Sequence, residues 1–399
     1  MHDKVSGDER ILRHGPPMPS RRSDVAPFIA MDVLRDARNL ERQGRHILHL
    51  EVGQPGAPTP AGVRAAVAEA LTGGSIGYTE ALGTTPLRER IARHYLETYG
   101  VRVAPDRIVV TTGSSAAFVL AFLACFEAGD RIALAAPGYP AYRNILSGLG
   151  LETVWLETTE ASRWAPTAAM LDDASAVAPL QGMLVASPAN PSGTMLEPDA
   201  MEALLAGARD RGMWFISDEI YHGLTYGGAC DTALQHDDDA IVINSFSKYY
   251  CMTGWRIGWM VVPERLVRPV ERLAQNIYIS PPALSQVAAI AAFDCVDELE
   301  RNKAVYARNR EILAEALPRL GFDRILPMDG AFYAYVDVSR FTNDSLDFAE
   351  RMLHEAGVAT TPGLDFDPDR GSRFLRFSFA GATADIEAAV DRLGDWLKR

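Results

Sequence analysis

Cysteine is scarce in this chain. Among 399 residues there are four, Cys125, Cys230, Cys251 and Cys295, with no C-x-x-C pair and no histidine at zinc-ligand spacing. That excludes a disulfide-stapled scaffold and a structural zinc site, and the expected setting is a reducing cytoplasm. Long apolar runs are also missing. The longest, residues 116–126, is well short of the roughly 18 residues a membrane span needs and reads as a buried helix. Positive charge is in the minority, with 39 Lys and Arg against 52 Asp and Glu and a formal net charge of −13. Such a balance disfavours non-specific binding to nucleic acid or anionic membrane, so an anionic ligand would need a local basic pocket. Near the start, Lys4, Arg10, Arg13, Arg21 and Arg22 lie among polar residues and prolines, without the apolar stretch of a secretory signal. Internal repeats and low-complexity tracts are absent. With 48% hydrophobic and 23% charged residues, the chain reads as a folded protein of two or three domains, or one large α/β core with a smaller companion.

Residues 1–24, rich in Pro, Arg and Ser, read as a loose arm. A helical pattern over 28–45 leads into an apolar stretch over 46–52 and a Gly-Gln-Pro-Gly turn at 53–56. Short apolar segments follow at 107–112, 131–135, 182–186, 213–217, 240–244 and 258–262, separated by helical stretches. Most are apolar on both faces, which predicts an α/β fold with a mainly parallel sheet covered on both sides, and ligands at the carboxyl ends of its strands. From about Glu298 the texture changes. A charged amphipathic helix over 298–317, strands over 331–338 and 374–379, and helices over 344–356 and 383–398 predict a smaller α+β domain. The acidic cluster at 237–239 reads as a solvated loop.

The chemistry gathers after the candidate strands. Residues 244–259 read Asn-Ser-Phe-Ser-Lys-Tyr-Tyr-Cys-Met-Thr-Gly-Trp-Arg-Ile-Gly-Trp, placing Ser245, Ser247, Lys248 and Arg256 together behind a buried strand. A desolvated lysine near other cations has a lowered amine pKa and can form a Schiff base. Hydroxyls and a guanidinium beside it would hold a phosphate. Alone, the same loop equally fits a solvated surface segment. Asp218 ends the 213–217 strand, where a bare carboxylate needs a partner. Gly113-Ser114-Ser115 joins a strand to a helix N-terminus, a general anion site. The turn Ser187-Pro-Ala-Asn190-Pro-Ser-Gly193, the aromatic Tyr139 and Arg376 on a strand each have an ordinary structural reading when taken singly.

Taken together they resemble class I/II aminotransferases, the fold-type I pyridoxal-phosphate enzymes. Ser245-x-x-Lys248 followed by Gly254-Trp-Arg256-Ile-Gly258 is similar to that family's cofactor-lysine segment, and the remaining motifs occur in family order over residues 25–398. The resemblance implies that Lys248 carries pyridoxal 5′-phosphate as an internal aldimine, with Ser245 and Arg256 on its phosphate, Gly113, Ser114 and Ser115 cradling it, and Tyr139 stacking on the ring. It further implies Asp218 on the pyridine nitrogen, Tyr221 and Asn190 on the phenolic oxygen, and Asn190, Arg376 and Gly53 against the substrate. Gly330-Ala-Phe-Tyr333 and Thr361-Pro-Gly363 are also family-like. Tyr78, in a glycine-rich loop, corresponds to the tyrosine that reaches the phosphate of the neighbouring subunit, which implies a homodimer with shared active sites. The implied organisation is a large cofactor domain over 52–297 and a small domain over 25–51 plus 298–399. The implied activity is amino transfer from an α-amino acid to a 2-oxo acid, 2-oxoglutarate or pyruvate. No metal is implied.

Two features depart from the pattern. Some relatives carry lysine where Ser115 stands, and the arginine that receives a distal carboxylate in one branch is matched by Gln275. Two other activities share the constellation. Carbon–sulfur β-lyases and related carbanion enzymes use the same residues. Ligand-sensing domains of transcription regulators share the fold, but the arm over 1–24 is too short for the DNA-binding domain that precedes such folds.

Overall fold

The computed structural model describes residues 18–399, so the arm expected over 1–24 lies outside the described residues up to residue 17. From there Arg21–Ser23 make one 3₁₀ turn against the 140–149 helix.

Apolar, β-branched runs too short for helices set the frame. After a two-residue β1 (Leu48–His49) come β2 (Ile108–Thr111), β3 (Arg131–Ala136), β4 (Glu152–Glu157), β5 (Gly182–Ala186), β6 (Trp214–Asp218), β7 (Ile241–Ser245) and β8 (Gly258–Val261). The last seven form one sheet in the order β2-β8-β7-β6-β5-β3-β4, in which β8 alone runs against the others. The expected strands are therefore present within a residue or two. β4 is an addition: its Glu-Thr-Val-Trp-Leu-Glu sequence lies at the sheet edge with only Leu156 buried.

Helices cover both faces. α1 (Ile29–Arg42), α2 (Ala61–Thr72), α3 (Thr85–Tyr99), α4 (Ser114–Cys125), α5 (Pro140–Leu149), α6 (Ala168–Val177) and α7 (Pro198–Asp210) precede α8 (Glu264–Ile277) and α9 (Ala283–Ala292). α4 is the long apolar run of the sequence. With α5 and α8 it packs Phe118, Phe122, Leu146 and Val270 onto one face of the sheet. The other face meets Ile91 and Tyr95 of α3, Leu204 of α7 and Ala288 of α9.

The C-terminal part runs α10 (Val296–Arg319), β9 (Tyr333–Asp337), α11 (Ser345–Arg351), β10 (Val358–Ala359), β11 (Thr361–Pro362), β12 (Phe374–Ser378) and α12 (Thr383–Trp396). An antiparallel sheet, β11-β12-β9, carries a separate core around Phe332, Val336, Phe377 and Leu393. β1 pairs in parallel with β10, tying residues 48–49 to this part. Buried Asp365 accepts hydrogen bonds from the backbone N–H groups of Ile29 and Ala30 (3.2 and 3.1 Å), capping α1 from the same side.

Topology places the chemistry. The turns after β2, β3, β5, β6 and β7 emerge at one end of the large sheet, the carboxyl end at which such sheets bind ligands. Because β8 is reversed, the residues just before it reach that same end, and Arg256 is among them.

Candidate active site

A cavity of about 180 Å³ opens there, lined among others by Gly53, Ser114, Ser115, Tyr139, Asn190, Asp218, Tyr221, Ser247, Lys248, Arg256, Tyr333 and Arg376. Ten residues to which the resemblance gives a role thus line one cavity: Gly53, Ser114, Ser115, Tyr139, Asn190, Asp218, Tyr221, Lys248, Arg256 and Arg376.

Lys248 follows β7 and buries its stem. Its Nζ donates to the Gly53 carbonyl at 2.6 Å and lies 5.8 Å from the Tyr221 ring centroid. Burial, then the Arg376 and Arg256 charges, pull its amine down to about 8. Asp218, at the end of β6, is pushed the other way, to about 6, by burial. One oxygen accepts the Ile220 N–H at 3.1 Å and the other accepts the Tyr142 hydroxyl. Among the described residues no lysine, arginine or histidine nitrogen stands within ion-pair distance of it.

Arg376, in the middle of β12, is 2% exposed. Its Nη1 donates to Asn190 Oδ1 at 2.9 Å and its Nη2 to the Glu51 carbonyl at 2.5 Å, with Thr361 Oγ1 at 3.3 Å. The guanidinium lies 4.3 Å from the Tyr333 ring centroid and 4.7 Å from that of Phe366, while its Nε is buried without a partner. A planar, sandwiched fork held this way suits bidentate capture of a carboxylate. Asn190 reaches it from the turn after β5, and Tyr221 meets Tyr333 hydroxyl to hydroxyl at 2.7 Å.

At the other side of the cavity α4 begins. Gly113 takes φ +77°, and a Cβ there would stand 2.4 Å from Arg256 Nη2. Only glycine lets the turn and the guanidinium approach so closely. The unsatisfied N–H groups at the start of α4, the Ser114 and Ser115 hydroxyls and Arg256 then form a cup for an anion. Gly53 is equally constrained, because a Cβ would overlap the Tyr333 hydroxyl at 1.8 Å.

Two sequence candidates stand apart. Ser245 lies one layer behind the cavity, its Oγ 2.9 Å from Ser247 Oγ and 3.2 Å from the Ile257 carbonyl, so that Ser247 is the serine facing the cavity. Tyr78 is 84% exposed and does not line this chain's cavity. Gly113 contributes through backbone rather than lining.

Sequence reasoning gave no role to Tyr142, Tyr333, Thr361 or the start of α1. Tyr142 lies three residues after Tyr139 at the beginning of α5, the spacing that puts two side chains on one helix face, and that signal was available. Phe28, Ala30 and Met31 form an apolar wall, Phe28 edge-on to Tyr139 at 5.8 Å. Nothing local in the sequence indicates that wall, which depends on Asp365 reaching α1 across 335 positions.

The donor set has a definite chemistry: an anion cup, a lysine amine, a buried carboxylate without a cationic partner, and a carboxylate fork. The family model for aminotransferase class I and II matches residues 45–393. The valine–pyruvate aminotransferase of Mycobacterium tuberculosis is 50% identical over 380 residues, covering 94% of this chain and 97% of the relative. A crystal structure of an aminotransferase from Mycobacterium tuberculosis superposes with a TM-score of 0.94 at 49% identity, over 96% of this chain and 100% of that one. The aspartate aminotransferase of Thermus thermophilus with maleate gives 0.90 at 29% identity, over 95% and 100%.

Proposed function

The chain belongs to the class I and II aminotransferases, a pyridoxal-phosphate-dependent family, and from that premise we propose that its cavity holds pyridoxal 5′-phosphate on Lys248 and transfers amino groups from branched or other apolar α-amino acids. It is a transaminase, moving an amino group from an α-amino acid to a 2-oxo acid. The observation that carries the site assignment is the convergence of Lys248, Asp218, Arg256 and Arg376 on one cavity.

The residues fit the cofactor. Ser114, Ser115, Ser247, Arg256 and the start of α4 would take its phosphate, with Ser245 behind Ser247. Asp218 would take a protonated ring nitrogen, the cationic partner it lacks. Tyr139 would cover the ring, and Tyr221 and Asn190 would face its phenolic oxygen. When bound, the cofactor supplies an aldehyde carbon that accepts the amino group and a pyridinium ring that takes up the electron pair released at Cα.

The chain's own groups do the rest. Arg376 and Asn190 would hold the substrate α-carboxylate and so fix the orientation of the bonds at Cα within the cavity. Lys248, with its amine lowered to about 8, would serve as the general base that moves the proton at the substrate Cα near neutral pH. Phe28, Met31 and Val52 give the side-chain space an apolar wall and exclude water. Among the described residues the cations lining the cavity are Lys248, Arg256 and Arg376, with no further arginine for a distal carboxylate. This favours apolar donors with pyruvate as acceptor, as in the name of the Mycobacterium tuberculosis relative, and 2-oxoglutarate as the other candidate.

We further read residues 52–297 as the large domain and 25–51 with 298–399 as the small one, supported by the separate cores. We read the enzyme as a cytoplasmic homodimer, supported by four unpaired cysteines and by exposed Tyr78; among the described residues no helix is long and apolar enough to cross a membrane.

Lys248→Ala should abolish the visible absorbance of the lysine-bound cofactor and lower amino transfer by at least about 10⁴-fold. A variant that kept both would sink the assignment. A half-reaction screen over amino donors, followed spectroscopically, tests the donor class.

A further inference from the structure

Behind the site, on the side of β6 away from the cavity, a buried histidine makes hydrogen bonds that the mechanism does not use. His222 lies four residues after Asp218 and one after Tyr221, and is 6% exposed. Its Nε2 is 3.1 Å from the Ser187 carbonyl, and its Nδ1 is 2.8 Å from the Tyr99 hydroxyl at the end of α3. Ser187 begins the turn that carries Asn190, whose Oδ1 accepts from Arg376.

The partners fix the tautomer. A carbonyl oxygen only accepts, so Nε2 carries the proton and donates to Ser187. Nδ1 of the neutral ring is then an acceptor, and the Tyr99 hydroxyl donates to it. Glu219 packs alongside, its carboxyl pushed up to about 8 by burial. One of its oxygens accepts from Ser217, Thr232 and the Ala233 N–H at 2.9–3.1 Å, while the other is 3.6 Å from Nδ1, beyond hydrogen-bond distance. Burial accordingly holds the His222 ring neutral, with its pKa down to about 3.

The turn continues β5, which pairs with β6 as far as Ala186 opposite Asp218, and Ser187 Oγ accepts the Leu196 N–H at 3.0 Å. Ala189 and Gly193 bond within it, and Gly193 accepts from Gly330. The backbone link from Ser187 N–H to the Asp218 carbonyl is long, at 3.3 Å. His222 therefore joins the segment bearing Asp218 and Tyr221 to the turn bearing Asn190, and Tyr99 joins both to α3.

We propose that His222 is a positioning residue for transamination, holding the Asn190 turn against β6 so that Asn190 and Arg376 present a prealigned pair to the substrate carboxylate, with Tyr99 fixing the ring's tautomer. This rests on the assignment of Arg376 and Asn190 to the carboxylate. It predicts an effect confined to carboxylate recognition, whereas a merely structural histidine would affect stability and cofactor affinity together.

The test uses holoenzyme and isobutyrate, which has the carboxylate and lacks the amine, as a competitive inhibitor. His222→Asn reaches Tyr99 and falls short of Ser187. His222→Gln reaches Ser187. His222→Asn should raise both the isobutyrate inhibition constant and the KM for the amino donor about tenfold, with kcat within about threefold and cofactor affinity within about twofold of wild type. His222→Gln should recover most of that loss, and Tyr99→Phe should show about a threefold rise. An inhibition constant unchanged in His222→Asn, equal impairment in the Asn and Gln variants, or cofactor affinity falling in step would each overturn the proposal. Arg376→Lys separates the two readings. If it weakens isobutyrate binding and His222→Asn does not, positioning by His222 alone fails. If it leaves isobutyrate binding unchanged, the carboxylate assignment fails and takes the proposal with it.

Discussion

Asp218 and Lys248 are displaced in opposite directions, and both displacements disfavour the charge each carries at neutral pH. Asp218 has a folded pKa of about 6 against 3.8 in the free side chain, so the folded state binds its proton more tightly. Stability therefore falls as pH rises through the window from about 4 to 6, and the cost is fully present above 6. Lys248, lowered to about 8 from 10.5, imposes a cost below 8 that is relieved as pH rises toward 10.5. Both costs suit a site built for a ligand that brings opposite charge. Asp218→Asn should consequently stabilise the cofactor-free protein at pH 7.5, by at most about 3 kcal/mol, while lowering transamination about 10²-fold. Thermal unfolding at pH 7.5 and at pH 4 checks the sign, since the gain should vanish at the lower pH. A variant less stable than wild type at pH 7.5 would show that the Tyr142 and Ile220 hydrogen bonds outweigh desolvation.

At the scale of elements, legibility followed burial. β2, β3 and β5 to β8 were readable because continuous apolar runs bounded by Gly, Pro and polar turns admit few alternatives. β4 was not, since an edge strand with exposed Glu152 and Glu157 has neither a two-faced apolar run nor a clean alternation. The reversal of β8 was equally silent in sequence, yet it is what brings Arg256 to the anion cup. Site residues at strand ends were legible through their spacing. The α1 wall was not, because a contact across 335 positions leaves no local periodicity, and the stacking of Tyr333 on Arg376 depends on how β9 and β12 pair. Ser245 and Ser247 show the resolution limit, for two serines in one motif divide into a supporting and a facing one only in three dimensions. The β2–α4 turn gives the corresponding prediction. Gly113→Ala forces a side chain into a φ of +77° and against Arg256, so cofactor affinity should fall at least about tenfold and the fold should lose about 1–2 kcal/mol. Titration of the cofactor-free variant with pyridoxal phosphate measures the first, and denaturant unfolding the second.

For the whole molecule, an acidic chain concentrates three cations on one cavity, and the proposed homodimer would add Tyr78 of a second chain to it. Tyr78 does not line its own chain's cavity. Tyr78, Leu71, Ile76, Ile277 and Ile279 are all exposed, and the Thr79 N–H donates to Ser280 Oγ at 3.3 Å, joining the segments that carry Tyr78 and Ile279. Ile279 holds φ +66°, a conformation that β-branched residues seldom adopt. On the reading of the enzyme as a homodimer, this exposed apolar surface would lie at the interface and a two-fold axis would let each Tyr78 reach across it. Mixing variants tests this directly. Lys248→Ala lacks the amine and Tyr78→Ala lacks the reaching tyrosine, so each homodimer has two defective sites. In a mixed dimer one site combines an intact Lys248 with an intact Tyr78 from the other chain, and the second site carries both defects. Co-refolding equal amounts makes half of the dimers mixed, and activity should rise to about a quarter of wild type. Activity no greater than the mean of the two parents would show that Tyr78 does not act across the interface.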